Sequence, residues 1–85
     1  MLPLYHDPHF TFRFAGDRII PRFHLKGVEA GRRVEVFKID ASTGERSDLL
    51  ATAAVGDGGW VDLQEPIIVR AGGAFIAIPE QVESP

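Results

Sequence analysis

The sequence predicts an all-β domain, a single antiparallel β-sandwich of about seven short strands. Three observations carry this. Apolar and polar residues alternate with a period of two in several short runs, as in Phe10-Thr11-Phe12-Arg13-Phe14, and that period puts one set of side chains on each face of a strand. The nine glycines all fall at the ends of such runs or between them, where a chain reverses direction. Finally, Asp57-Gly58 stands between apolar flanks in Val55-Gly56-Asp57-Gly58-Gly59-Trp60-Val61. Asp-Gly takes φ > 0 at low cost and is a strong local signal for a β-hairpin.

Residues 1–9 hold two prolines and no usable period, so they are expected to form an extended arm. The domain proper is expected over 10–79, with a short tail over 80–85. The first strand, Phe10–Phe14, sets its three phenylalanines on one side and Thr11 and Arg13 on the other. Ala15-Gly16-Asp17-Arg18 is a turn. Between Ile19 and Val28, strict alternation groups Ile19, Pro21, Phe23 and Leu25 against Ile20, Arg22, His24 and Lys26. Pro21 has no N–H for a ladder, which marks an edge strand or a strand start.

After the turn at Val28–Arg32, Arg33–Asp40 carries Val34 and Val36 on one face and Phe37 and Ile39 on the other. Apolar residues on both faces suit a central strand. Ala41–Ser47 is a polar loop of turn formers. Asp48–Val55 can be read two ways. Ser47 could cap a helix that Gly56 ends, but that helix has barely two turns and is marginal by itself. The hairpin signal directly after it favours a strand. Trp60–Leu63 is its return strand, and Gln64-Glu65-Pro66 is a turn. Ile67–Arg70 and Ala74–Ile78 then form a last hairpin through Gly72-Gly73.

Composition narrows the function classes. With 85 residues the chain makes one domain, and 45% hydrophobic residues including six phenylalanines can fill a core. The absence of cysteine excludes disulfides, thiolate metal sites and cysteine nucleophiles. No apolar run is long enough for a membrane-spanning helix, so no membrane insertion is expected. Met1-Leu2-Pro3-Leu4 lacks a secretory leader's pattern. That points to the cytoplasm if Met1 is the native start, and leaves an extracellular setting open if the chain is a piece of a longer one. A net charge of −3 and sparse aromatic residues among the basic ones argue against a nucleic-acid partner. Basic side chains predominate up to Lys38 and acidic ones after it, a dipolar distribution that can favour self-association.

Val34-Glu35-Val36-Phe37, the Thr43-Gly44 loop, Ala51-Thr52-Ala53-Ala54-Val55 and Asp57-Gly58-Gly59-Trp60 together resemble bacterial immunoglobulin-like domains and the related transthyretin-like modules. Such domains often show a Val-x-Val strand, a glycine-containing loop and a hairpin ending in an aromatic residue. The likeness covers residues 34–63. It implies an immunoglobulin-like sandwich with a spacer, adhesion or binding role, and it transfers no functional residues.

No nucleophile elbow, phosphate-binding loop or zinc-protease pair occurs in the sequence, so an enzyme is not expected, and neither is a cofactor. His6-Asp7-Pro8-His9, with His24 or Asp7 as a third ligand, is the single metal-like cluster, and a solvated arm explains it better than a metal site. Arg13, Arg22, His24 and Lys26 are expected to project from one side of two neighbouring strands as a basic face. A two-residue Asp57-Gly58 turn pairs Val55 with Trp60, and places Trp60, Asp62 and Gln64 on the side opposite Val61 and Leu63. Trp60, flanked by small Ala51 and Ala53, would then be a platform for a sugar ring or a contact for a protein. A bulge at Gly58-Gly59 would instead shift the register by one and bury the indole. The demand for core volume favours the buried indole. The expected function is a non-enzymatic interaction or assembly module that binds a protein partner or itself through edge strands or the Trp60 hairpin. The alternatives are a carbohydrate-binding module and a structural building block of a larger particle or surface layer.

Overall fold

A computed structural model describes residues 10–80. Six strands occur among them: β1 (Phe10–Arg13), β2 (Arg18–His24), β3 (Arg33–Ile39), β4 (Arg46–Ala54), β5 (Trp60–Val69) and β6 (Ala74–Pro79). They form two antiparallel sheets, one of four strands in the order β1-β6-β3-β4 and one of two strands, β2-β5. The expected arm over 1–9 and all but the first residue of the expected tail lie outside the described residues.

The alternation that predicts the strands also builds the core. Phe23, Leu25, Val61, Ile67 and Val69 from the smaller sheet and its ends are buried with Val34, Val36, Phe75 and Ala77 from the larger one. Phe75 is fully buried and is the hub of an aromatic cluster, with ring centroids 4.9 Å from Phe12, 5.7 Å from Phe14 and 5.5 Å from Phe23. As expected, β3 is a central strand, flanked by β6 and β4. Residues 48–55 choose strand over helix: β4 pairs with β3 through Val34↔Ala53 and Val36↔Ala51. The small alanines turn inward there, where a two-turn helix would leave β3 as an edge strand paired with β6 alone.

Four expectations need correction. The return strand and the strand at Ile67–Arg70 are one strand, β5, because Gln64-Glu65-Pro66 does not reverse the chain. Six strands therefore replace the predicted seven.

The connection at Asp57-Gly58-Gly59 is a tight 3-10 turn but not a hairpin, since β4 pairs with β3 while β5 pairs with β2. Two successive left-handed residues, Gly58 at φ 75° and Gly59 at φ 88°, carry the chain across from one sheet to the other. The Gly56 N–H donates to the Trp60 carbonyl at 2.7 Å, and the Leu25 N–H to the Gly59 carbonyl at 2.8 Å. These bonds replace the predicted Val55–Trp60 pairing.

Gly72-Gly73 is likewise a crossover. It delivers β6 into the larger sheet, and hydrogen bonds of 2.9 and 3.1 Å tie it to Phe14. Finally, alternation in β2 slips by one at Pro21. Ile20 pairs with Ile67 and Arg22 with Asp62, so Pro21 faces four residues of β5. Without an N–H, Pro21 cannot hold the ladder, and a β-bulge takes up the difference. Ile20 consequently packs on the core, while Ile19 is turned out to 68% exposure.

Candidate functional site

The slip at Pro21 decides what the outer face of β2-β5 displays. Two directly opposed pairs face inward, Ile20↔Ile67 and Phe23↔Val61. Three face outward: Ile19↔Ile68, Arg22↔Asp62 and His24↔Trp60. Ile19 and Ile68, at 68% and 69% exposure, are the most exposed large apolar residues among those described. Side chains directly opposite across an antiparallel pair lie close enough to touch, so the two isoleucines form one apolar patch.

Trp60 is 40% exposed, which corrects the expectation of a buried indole. No bulge at Gly58-Gly59 shifts its register. Val61 points inward and is fully buried, and Trp60 and Asp62 alternate outward. Ala51 and Ala53 do not flank it, because they belong to the other sheet. What surrounds the indole is polar. The Arg22 guanidinium lies 4.2 Å from the ring centroid, and Arg22 Nε also meets Asp62 Oδ1 at 3.0 Å. The His24 ring meets the indole edge-on at 5.1 Å. His24 Nε2 donates to the Gly58 carbonyl at 2.7 Å, since a carbonyl oxygen can only accept. Asp62, Arg22, Trp60 and His24 thus form a continuous row.

The other predicted site residues are dispersed. Arg13 sits on β1, which pairs with β6 and not with β2, and its guanidinium donates to the Ala41 carbonyl at 3.2 Å. The predicted four-residue basic face therefore does not form, because β1 and β2 belong to different sheets. Lys26 is exposed in the turn after β2. Gln64 lies in the excursion of β5 opposite Pro21, where it lines a groove of about 390 Å³ between Leu50–Thr52 of β4 and Leu63–Ile68 of β5. His6, Asp7 and His9 lie outside the described residues. His24, their suggested partner, is engaged with Gly58 and Trp60. Among the described residues no three His, Asp or Glu side chains converge as metal ligands would.

Sequence reasoning missed Ile19 and Ile68. Strict alternation put Ile19 with Phe23 on the core side, and only the loss of register at Pro21 reverses it. Pro21 was the available signal, since a proline inside an alternating run marks a place where a ladder breaks.

No protein-family model, no curated protein and no solved structure matches the chain.

Proposed function

We propose that this chain is a non-enzymatic interaction module that binds a protein partner through the outer face of β2-β5. One observation carries the proposal: a directly opposed, solvent-exposed isoleucine pair shares a face with a half-exposed tryptophan and an Arg-Asp pair. Aromatic and aliphatic anchors beside arginine, with polar groups around them, are what protein contacts favour. The non-enzymatic part rests on the sequence, which carries no recognised catalytic motif. We further read the two sheets as the layers of an immunoglobulin-like β-sandwich, because their facing sides contribute to one core. An assembly role in a larger particle would use the same face.

A carbohydrate-binding role fits less well. Sugar stacking uses an open indole face, and here Arg22 covers one face of Trp60 while His24 holds its edge. Site-directed photo-crosslinking tests the protein-binding proposal. A photoreactive side chain at position 68 should give protein adducts, whether to a second copy or to another chain, and one at Thr11, exposed on β1, should give few. Equal yields at the two positions, or none at 68, would contradict it.

A further inference from the structure

We infer that the partner of the β2-β5 face is a second copy of this chain, stacked face to face about a two-fold axis parallel to the strands. The inference rests on the protein-binding role proposed above and adds the identity of the partner. The register carries it. Such an axis runs between β2 and β5, so it lays β2 of one copy over β5 of the other. Each outward pair is then covered by its own exchanged image. Ile19-Ile68 meets Ile68-Ile19, Arg22-Asp62 meets Asp62-Arg22, and His24-Trp60 meets Trp60-His24.

Exchange is favourable at every level of this stack. The isoleucine pair is apolar on both strands, so its image is apolar too, and four exposed isoleucines close on one another. Arg22 of each copy faces Asp62 of the other, which turns one intrachain ion pair into a four-charge network. The indole of each copy meets an imidazole. Sheets pack about 10 Å apart, a spacing that side chains of these lengths fill. An axis across the strands, passing through the Arg22-Asp62 level, would instead set β2 on β2, with Arg22 on Arg22 and Asp62 on Asp62, and would lay the isoleucines over His24 and Trp60. Charge therefore selects one of the two symmetric arrangements. A closed two-fold contact also ends growth at a dimer.

The test is sedimentation equilibrium of the full chain over a wide concentration range, with charge-reversal variants. Arg22 and Asp62 are both exposed, so Arg22→Asp and Asp62→Arg should keep the fold, as circular dichroism can check. The wild type should show a reversible monomer–dimer equilibrium. Each single variant should associate at least about tenfold more weakly, because like charges then oppose one another twice across the axis. An equimolar mixture of the two variants should dimerise again. One variant then presents two carboxylates and the other two guanidinium groups, so every charged contact across the axis joins opposite signs.

A wild type that stays monomeric throughout would overturn the inference. The photo-crosslinking result at position 68 would still report separately on whether the face binds any protein. A dimer that persists unchanged in Arg22→Asp would also overturn it, and so would a mixture that does not recover.

Discussion

Arg22 makes two contacts at once: its guanidinium lies 4.2 Å from the Trp60 ring centroid, and its Nε lies 3.0 Å from Asp62. The arginine thereby fixes the one exposed indole against the sheet while leaving it in contact with solvent. An exposed ion pair contributes about 0.2–1 kcal/mol, and an exposed cation–π contact about 0.5–1 kcal/mol. Arg22→Ala should therefore lower stability by no more than about 1–2 kcal/mol in urea denaturation. A larger loss would mean that the row Asp62-Arg22-Trp60-His24 serves folding rather than contact.

Phe75 and Trp60 should separate cleanly as core and surface. Phe75 is fully buried against three other phenylalanines, so Phe75→Ala should cost about 3–5 kcal/mol. Trp60→Ala, at a half-exposed position, should cost far less. Equal losses for the two variants in thermal or urea denaturation would contradict the placement of the indole.

Gly59 is the glycine that the crossover between the sheets cannot replace. Its φ is +88°, and a Cβ there would stand 2.6 Å from the Leu25 carbonyl oxygen and 3.0 Å from His24 Nε2. Gly59→Ala should destabilise by about 2 kcal/mol or more, combining left-handed strain with a backbone clash. It should also move His24, which nuclear magnetic resonance of the imidazole would detect. Gly44→Ala is the control. Gly44 has a similar φ of +78° but open space around it, so only the backbone strain remains.

Asp40 organises the loop between β3 and β4. It accepts from the Ser42 hydroxyl, and from the backbone N–H groups of Ser42 at 2.7 Å and Thr43 at 3.2 Å. Those bonds, the hydroxyl first, hold its carboxyl below the ordinary value of 3.8. The unfolded chain therefore takes up this proton more readily than the folded one. The stabilisation is complete above the ordinary carboxylate range and is lost as pH falls through the folded value. Asp40→Asn should flatten the acid side of the stability curve below about pH 5. An unchanged curve would show that the loop bonds do not form in solution.

How much was legible in the sequence follows from what each signal measures. Alternation reports which side of a strand is apolar, and it correctly set Val61 and Leu63 against Trp60, Asp62 and Gln64. It also marked β3 as central, because both its faces are apolar. Alternation does not report which strand lies alongside. Asp57-Gly58-Gly59 and Gly72-Gly73 look like hairpin turns locally, yet both carry the chain between sheets. The pairing partners are set by distant contacts, such as Phe14 on Gly72 and Gly73, which no local pattern encodes. The basic face failed for the same reason, since Arg13 and Arg22 are on strands that do not pair. The candidate site was half visible: Trp60, Asp62, Arg22 and His24 stood out by residue type. Ile19 and Ile68 became visible only once the bulge at Pro21 placed them outside.

The most direct measurement is acrylamide quenching of Trp60 fluorescence as protein concentration rises, in the wild type and in Arg22→Asp. The chain holds a single tryptophan, so the signal reports this face alone. If a second copy of the chain covers the outer face of β2-β5, the indole should be readily quenched in dilute wild-type protein and progressively shielded as the protein is concentrated. Arg22→Asp should stay quenchable throughout. An indole already shielded at the lowest concentration, or one equally quenchable at every concentration in the wild type, would contradict it.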